Sequence, residues 1–345
     1  MATFKRPLGA PMRAIICTAI ALALVASRPA VAEEIILKIA TVAPDKTAWS
    51  EMLKRWQKGV EDKSAGRIKV RVFLGGQLGS EAEAVLRCKR GQIAAVASSM
   101  GSIASQIPEV NVVELPYLFK NSAEADHIID TVLAQPMQQA FERAGFVVGF
   151  WNENGYRHFG TRDKFVKSPE DLKGKKMRSQ ESTVHLDMWR AFGAAPVAIA
   201  QTEVLPALQN GTVDGFDQAL LYMVAANWHS SIKYLTLSGH MYQPAVIAFN
   251  KPWFDQLAPD LQKILLDEGK AVQEFGRKKV RAMGPQVLQL VKDAGVQVRE
   301  LTAADKATFD APAKVVRDKF RKAAKPTAVA MLNAIEAELK KIRGK

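Results

Sequence analysis

Apolar and polar positions follow two periods along the chain, and their order predicts a protein of interleaved strands and helices. Short apolar runs are typical of strands covered on both faces, whereas apolar residues three or four apart are typical of helices packed on one side. In the first part of the chain, strands are predicted at residues 35–42, 67–73, 93–97 and 146–151, and helices at residues 49–63, 81–90 and 122–145. Ser122 is the predicted N-cap of the last of these helices, and Pro136 a predicted kink within it. This order predicts a first α/β lobe.

The alternation continues in the second part of the chain. Helices are predicted at residues 182–192 and 202–210, the second capped by Thr202, and strands at residues 197–200, from Val213 onward and at residues 235–250. The last of these segments is apolar enough to cross back toward the first lobe, which implies a cleft between two lobes. From Pro259 onward the helical spacing of the apolar residues predicts helices that brace both lobes.

The first 32 residues have the features of an export signal. A basic segment that includes Arg13 precedes an apolar run at residues 14–26, and the small residues at 30–32 predict cleavage before Glu33. The apolar run is shorter than the roughly 20 residues that span a bilayer. We therefore expect a periplasmic protein that is not embedded in the membrane, with a mature chain long enough for two domains.

Charge and cysteine content exclude further classes. The formal charge is +13, and loss of the four basic residues of the leader lowers it to +9. Export and the absence of any recognition motif argue against a nucleic-acid partner, so the basic segments are interpreted as solvated helix faces. Cys17 falls in the leader, which leaves Cys88 alone and excludes an intramolecular disulfide.

Motifs of the common enzyme classes are missing from the sequence. It contains no G-x-S-x-G, H-E-x-x-H, paired C-x-x-C or P-loop pattern, and its five histidines are not spaced as a metal set. Catalytic groups can still assemble from distant positions, so a periplasmic enzyme stays open as an alternative. We expect no catalytic residues, no cofactor and no metal.

Two arginines are the leading candidates for anion binding. Arg157 follows the predicted strand at 146–151 in N-G-Y-R, which indicates a turn, and Arg178 ends a short lysine-rich strand. Two guanidiniums on neighbouring loops can clamp one carboxylate, because each planar fork matches two oxygens. The alternative for Arg157 is an internal ion pair with Glu153 or Asp217. The alternative for Arg178 is a place on the surface.

Several ordered blocks of sequence resemble one protein family. They are G-G-Q-L-G-S-E, P-E-V-N-V-V-E-L-P-Y-L-F, N-G-Y-R-H-F-G, S-P-E-D-L-K-G-K-K-M-R, G-A-A-P-V-A-I-A-Q-T-E-V-L-P-A-L-Q-N-G-T-V-D-G and K-Y-L-T-L-S-G-H. In this order they resemble the solute-binding subunits of tripartite ATP-independent periplasmic (TRAP) transporters, the DctP family. The likeness covers nearly all of the mature chain.

The resemblance implies a fold and a role. The fold is α/β, a two-lobe periplasmic-binding-protein-like structure with a ligand cleft and a long bracing helix. Lobe I is expected at residues 33–154 plus 244–285, and lobe II at residues 155–243 plus 286–345. Proteins of this kind close on a small-molecule carboxylate and deliver it to the membrane subunits of a TRAP transporter driven by a sodium gradient. A ligand-binding protein that serves a sensor kinase would have the same cleft.

The resemblance also assigns site residues by position. The main carboxylate-clamping arginine falls on Arg178, a second arginine on Arg157, and a position usually held by asparagine on Gln218. Further predicted ligand contacts are Glu81, Ser99, Ser182, Gln201, Trp151 and Asn152. Glu81 has the alternative of stabilising a helix start, and Ser182 that of a simple N-cap. His158, His185 and His240 are expected to be structural.

Departures from the family pattern concern specificity. Many members have D-G-Q-E-N where this chain has Asp214-Gly215-Phe216-Asp217-Gln218. The Glu-Trp pair of members that bind an oxo acid through a metal is absent, which supports the expectation of no metal. Aromatic residues that can line an apolar pocket for a bulkier monocarboxylate, each with the alternative of a core position, are Trp49, Trp151, Tyr156, Trp228 and Tyr242. The segment at 216–218 is where we expect the specificity of this protein to reside.

Overall fold

The structure is a computed structural model that describes residues 1–3 and 34–344. Residues 4–33 and 345 lie outside the described residues. The predicted leader therefore falls almost entirely outside them, together with its cleavage site and Cys17. None of the helices in the described ranges is both long and apolar enough to cross a membrane.

Nine strands in the described residues form one sheet. They are β1 (Ile35–Ala40), β2 (Ile68–Phe73), β3 (Ala95–Ser99), β4 (Phe146–Thr161), β5 (Lys176–Ser179), β6 (Ala195–Ala198), β7 (Gly215–Ala219), β8 (Tyr234–Asn250) and β9 (Gln297–Glu300). The α-helices are α1 (Ala48–Lys63), α2 (Glu81–Lys89), α3 (Met100–Ile103), α4 (Ser122–His127), α5 (Ala134–Arg143), α6 (Thr183–Ala191), α7 (Val204–Gln209), α8 (Leu220–Ala225), α9 (Lys251–Asp255), α10 (Pro259–Asp293), α11 (Ala303–Ala307), α12 (Asp310–Ala323) and α13 (Pro326–Ile342).

The sheet has a parallel flank on each side of two long central strands. Its order is β2-β1-β3-β8-β4-β7-β5-β6, with β9 beside β8. The pairs β1–β2, β1–β3, β5–β6 and β5–β7 are parallel, as expected where helices connect successive strands. The pair β4–β8 is antiparallel. The alternation of strands and helices predicted from the sequence is therefore confirmed.

Strands β4 and β8 run from one flank to the other. The C-terminal part of β8 pairs with β3, at Ala245 to Ser99, while the C-terminal part of β4 pairs with β7, at Arg157 to Ala219. Three register shifts interrupt the β4–β8 ladder, one of them between Glu153 and Gly155. Bulges of this kind bend a strand and increase its twist.

The long helix α10 packs across the first flank and β4. It spans 35 residues, or about 50 Å at the α-helical rise. Gly269 lies against the ring of Phe150, and Gly276 lies against Met52 of α1, where a side chain on either glycine would clash. Arg281 pairs with Asp126 and with the buried Glu153 of β4. The expected bracing helix is present.

Five local predictions were wrong. The strand predicted to end at Trp151 continues to Thr161, because β8 pairs with it along its length. Gly155, at φ +98°, lies at a register shift between the two strands and not in a turn. The helix predicted at 122–145 is two α-helices joined by a π-helical turn.

The remaining errors concern helix starts. Asn121, not Ser122, caps α4, since its side chain accepts the backbone N–H of Glu124. Pro136 lies in the first turn of α5, where a missing N–H costs little. Thr202 caps no helix; it lies inside a short 3₁₀ turn, Gln201–Glu203, that leads into α7.

Candidate functional site

A cavity lies where residues from distant parts of the chain meet. Glu81 and Ser99 form part of its wall from the first flank, and Gln201 and Tyr222 from the second. Apolar atoms of residues such as Trp49 and Leu221 supply much of the remaining lining. Three of the site residues predicted from the sequence, Glu81, Ser99 and Gln201, therefore lie at one cavity.

Glu81 is a buried carboxylate held by two serines. It is the first residue of α2, but the N-terminal hydrogen bonds of this helix are satisfied by Ser80 and Glu83 in a capping box. Its Oε1 accepts the backbone N–H of Ser99 at 3.0 Å, and its Oε2 accepts the hydroxyls of Ser99 and Ser102, each at 2.7 Å. Burial raises the pKa of Glu81, although these hydrogen bonds act in the opposite direction.

Arg178 is fully buried on β5. Its Nε and Nη2 both donate to the carbonyl oxygen of Ile199, at 3.0 and 2.8 Å, and its guanidinium carbon lies 5.2 Å from the centre of the Trp228 ring. Trp228 packs edge-on against Tyr222 of the cavity wall, with 5.5 Å between ring centres. Arg178 therefore does not line the cavity itself, but is connected to its wall through Trp228 and Tyr222.

Arg178 lacks an acidic partner in the part of the chain that the structure describes. Its Nη1 is buried and has no hydrogen-bond acceptor among those residues, and no carboxylate forms an ion pair with it there. Burial, and then the nearby charge of Arg157, lower the pKa of Arg178 to about 10, so it stays charged at neutral pH. The alternative of a surface position is wrong.

Arg157 is also fully buried, but its three nitrogens all donate to protein acceptors. Nε donates to Oδ2 of Asp217 at 2.5 Å, and Nη2 donates to the backbone carbonyl of Asp217 at 2.5 Å. Nη1 donates to Oε1 of Gln218 at 3.2 Å and to Oε1 of Gln243 at 2.8 Å. The internal ion pair expected as an alternative is present, with Asp217 as the partner.

The expected delivery of both arginines by loops was wrong. Arg157 lies in β4 and Arg178 in β5, and both strands pair with β7, so the two arginines are held on one sheet. Arg157 is opposite Ala219 and Arg178 is opposite Phe216. Strand positions hold side chains more firmly than loop positions do.

Two glutamines that sequence reasoning missed connect the site. Gln180 donates to the hydroxyls of Ser99 and Ser102 at 2.5 and 3.0 Å, and its Oε1 accepts from Gln243 at 2.7 Å. Because Gln243 in turn accepts from Arg157, a continuous hydrogen-bond chain runs from Glu81 to Asp217. One signal was available, since Gln243 is an amide inside the apolar run from Met241 to Phe249.

The other predicted residues are placed as follows. Gln218 contacts Arg157 through Oε1, and its Nε2 has no partner among the described residues. Ser182 lies at the N-cap of α6, but its hydroxyl donates to Asn111 at 2.7 Å instead of capping the helix. Trp151 does not line the cavity; its ring packs edge-on against Phe141. Asn152 is buried, and its amide makes no hydrogen bond within the described ranges.

Of the five aromatic residues considered for the pocket, Trp49 lines the cavity. Its indole N–H donates to the carbonyl of Glu153 at 3.2 Å. Tyr242 is buried and donates to a carboxylate oxygen of Glu153, and Tyr156 packs against the Tyr242 ring. The aromatic contribution to the wall of the cavity therefore comes from Trp49 together with Tyr222.

The histidines take part in internal hydrogen bonds. His240 lies between Ser238 and Asp217 and is stacked on Phe159, with ring centres 4.2 Å apart. His185 contacts Glu114 at 2.8 Å in a fully buried pair. Within residues 1–3 and 34–344, no three His, Cys, Asp or Glu side chains are grouped so that they could hold a metal ion.

Comparison with known proteins identifies the family. The profile of the bacterial extracellular solute-binding proteins of family 7, DctP, matches residues 39–323. The chain belongs to the DctP family.

Two sequence relatives and one solved structure that are similar to this chain match most of its length. A solute-binding protein of Verminephrobacter eiseniae is 35% identical, over 77% of this chain and 78% of its own. The 2,3-diketo-L-gulonate-binding periplasmic protein YiaO of Escherichia coli is 28% identical, over 82% and 86%. A TRAP periplasmic solute-binding protein of Citrobacter koseri with bound D-glucuronate is 29% identical and superimposes with a TM-score of 0.81, over 87% of this chain and 98% of its own.

These comparisons confirm two predictions. The resemblance to the solute-binding subunits of TRAP transporters is confirmed, and so is the α/β two-lobe fold. The relatives named here are solute-binding proteins, and the family is extracellular.

Proposed function

We propose that this protein captures an organic acid in the periplasm and delivers it to the membrane permease of a TRAP transporter. One observation supports the class of ligand, and another supports the location. The relatives from E. coli and C. koseri are named for 2,3-diketo-L-gulonate and D-glucuronate, which are both acids. The leader predicted at residues 1–32 supports export to the periplasm.

Arg178 is the observation that carries the proposal. A fully buried charge costs several kcal/mol unless an opposite charge compensates it. Nε and Nη2 of Arg178 donate to the carbonyl of Ile199, and Nη1 is left without an acceptor in the described residues. Arg178 contacts Trp228, which packs on Tyr222 of the cavity wall. A ligand carboxylate that binds Nη1 supplies the compensating charge, so Arg178 is the proposed anchor.

Three further predicted residues, Glu81, Ser99 and Gln201, are proposed to contact the body of the ligand. Glu81 and Ser99 line the cavity from the first flank, and Gln201, whose Oε1 has no partner among the described residues, lines it from the second. Arg157 and Gln218 stay proposed contacts for the same carboxylate as Arg178. Ser182, Trp151 and Asn152 stay proposals as well, and these three, like Arg157 and Gln218, do not line the cavity.

Capture requires that the two lobes move apart. Arg178 has no exposed surface, so an acid reaches it only when the cleft opens. We place lobe I at residues 33–154 plus 244–285 and lobe II at residues 155–243 plus 286–345. The cavity supports this division, since it is lined from both sets, and closure around the ligand would then follow the hinge-bending scheme of two-domain binding proteins.

Binding without turnover is part of the proposal, as is delivery to a permease. The solute-binding names of the relatives support the absence of an enzymatic step. The mature protein incubated with its acid should release that acid unchanged. A strain that lacks the protein should lose sodium-driven uptake of the same acid, and unchanged uptake would contradict the proposed partner.

The identity of the ligand can be tested directly. Native mass spectrometry of freshly purified protein should show a retained small molecule, and the molecule released on denaturation should carry a carboxylate. Calorimetric titration of refolded, ligand-free protein with that acid should restore one-to-one binding. A retained solute without an acidic group would overturn the proposal.

A further inference from the structure

Gln180 is a buried side chain directly after β5 whose amide groups are all in use. Its Nε2 donates to the hydroxyls of Ser99 and Ser102, at 2.5 and 3.0 Å, and its Oε1 accepts an amide N–H of Gln243 at 2.7 Å. A side-chain amide has two N–H groups, so both are committed to the serines. Gln180 does not line the cavity, and neither N–H of its amide is left for a ligand.

The two serines connect Gln180 to the cavity wall. Each hydroxyl donates to Oε2 of Glu81 at 2.7 Å, and Glu81 and Ser99 line the cavity. A hydroxyl has one hydrogen and rotates to suit its partners, so an N–H that approaches its oxygen directs that hydrogen elsewhere. Gln180 therefore holds both hydroxyls in the orientation in which they donate to Glu81, and linked hydrogen bonds of this kind strengthen one another.

These hydrogen bonds cross the proposed boundary between the lobes. Gln180 belongs to lobe II as placed above, whereas Ser99 and Ser102 belong to lobe I, 81 and 78 residues away in the sequence. When the lobes separate, water replaces the partners of the amide and of the hydroxyls. The contact therefore stabilises the closed conformation and contributes nothing to the open one.

The packing beside Gln180 is close. A Cβ atom on Gly101 would lie 2.9 Å from Cδ of Gln180 and 2.9 Å from Oε2 of Glu114. Glu114 in turn contacts His185 at 2.8 Å, in a buried pair that crosses the same boundary. The lack of a side chain at Gly101 thus allows the two lobes to approach closely at Gln180.

We propose that Gln180 is a positioning residue for ligand binding, which fixes the hydroxyls of Ser99 and Ser102 on Glu81 when the lobes close and thereby slows the release of the ligand. The inference rests on the proposed function, since it takes the acid to be held in the cavity between the lobes. It goes further because it gives a role in binding to a residue that the ligand does not touch. The ligand enters the open cleft without help from Gln180, but leaves only after the hydrogen bonds of Gln180 have broken.

Rates of binding and release distinguish this role from a purely structural one. The probe is whichever of D-glucuronate, D-erythronate, succinate and phenylacetate binds the wild type most tightly in calorimetric titrations. Stopped-flow tryptophan fluorescence then gives both rate constants, with Trp49 of the cavity wall as a reporter. Gln180→Ala removes two hydrogen bonds of the closed state, so its dissociation rate constant should rise about tenfold or more. Its association rate constant should stay within about twofold of the wild type, because the contact forms after the encounter.

Gln180→Glu separates hydrogen-bond donation from packing. The substitution keeps the size of the side chain but removes its N–H groups and places a carboxylate beside the serines that Glu81 needs. Its dissociation rate constant should rise at least as much as that of Gln180→Ala. Gln139→Glu makes the same chemical change at an exposed position of α5 and should leave both rate constants unchanged.

A double-mutant cycle tests whether Gln180 acts through the serines. Ser102→Ala removes one of the two acceptors of Gln180, so in that background Gln180→Ala should raise the dissociation rate constant by about threefold instead of about tenfold. An equal effect of Gln180→Ala in both backgrounds would overturn the action through the serines.

Thermal unfolding of the ligand-free protein completes the test. The midpoint for Gln180→Ala should lie within about 3 °C of the wild type, because the contact to lobe I is absent from the open form. Slower association together with a markedly lower midpoint would show a purely structural role and overturn the inference. Far-ultraviolet circular dichroism establishes folding, and Gln180→Glu carries the test if Gln180→Ala does not fold.

The outcomes separate the inference from the proposed function. If the wild type binds one of the acids but Gln180→Ala or Gln180→Glu releases it at the wild-type rate, the inference fails and the proposed function stands. If none of the four acids binds the wild type, the proposed function and the inference fail together.

Discussion

Removal of the Arg178 charge should abolish ligand binding while the unliganded fold persists. Arg178→Met keeps a long side chain on β5 but removes the guanidinium. Breaking one side of a buried charge pair costs about 3–5 kcal/mol, because the other charge is left uncompensated. The dissociation constant for the acid should therefore rise by roughly 10²- to 10⁴-fold.

The unliganded protein should be affected far less. Arg178 gives up two hydrogen bonds to Ile199, whose carbonyl then lacks a donor, at a cost of about 1–3 kcal/mol. Removal of a buried cation that has no acidic partner in the described chain offsets part of this loss. The free energy of unfolding without ligand should thus change by less than about 2 kcal/mol.

Thermal unfolding with and without the acid is the assay. At a ligand concentration of 100 times the wild-type dissociation constant, binding stabilises the wild type by about 2.7 kcal/mol, but stabilises the variant by about 0.4 kcal/mol or less. Arg178→Lys should recover little, since an ammonium cannot reproduce the planar fork. Arg190→Met, at an exposed position of α6, is the control and should bind normally. Full ligand stabilisation of Arg178→Met would show that Arg178 is not the anchor of the acid.

Three further predictions concern groups outside the anchor. Arg281→Met should lower the free energy of unfolding by about 3 kcal/mol in urea titrations, because the buried Glu153 loses its cation; a change below about 1 kcal/mol would contradict this. Burial lowers the pKa of His158 to about 3. The free energy of unfolding should therefore decrease as the pH is lowered below about 6.5, by at most about 1.4 kcal/mol per pH unit. His158→Gln should flatten that slope, and an identical pH profile would be evidence against it. Cys88 is buried and burial raises its pKa, so a thiol reagent should modify it only after unfolding; rapid modification of the native protein would show that this region opens.

The signs of the pH prediction follow from linkage. The folded state binds a proton at His158 less readily than the unfolded chain, because burial disfavours the charged imidazolium and nearby positive groups oppose it. Protonation would also remove the ring nitrogen that accepts the N–H of Gly239. The stabilising contribution is therefore complete above the unfolded pKa and is lost as the pH falls toward the folded value.

Local pattern predicted most of the strands and helices but not how far they continue. Residues 154–155 have the composition of a turn, yet β4 passes through them, because β8 offers hydrogen-bond partners on both sides of Gly155. Whether a glycine ends a strand or forms a bulge is decided by the strand beside it. That strand lies some 90 residues away in the sequence, and no local signal encodes it.

The site shows the same limit. The sequence indicated both arginines and named Asp217 as a possible partner for Arg157, but only the pairing of β4 with β7 brings the two side chains together. Gln180, directly after β5, contacts Ser99 of β3 and Ser102 of α3. Gln243 of β8 contacts Gln180 and Arg157, so both roles depend on elements that are distant in the sequence. The pairing of buried charges is a property of the folded chain, which is why the sequence indicated both arginines but not which of them lacks an acidic partner.

The structure of the protein with its bound acid will show whether Arg178 is the anchor. We predict a carboxylate oxygen of the ligand within hydrogen-bond distance of Nη1 of Arg178, at about 3 Å, with the Arg157–Asp217 pair intact. A ligand without a carboxylate, or an acid bound with its carboxylate away from Arg178, would contradict it.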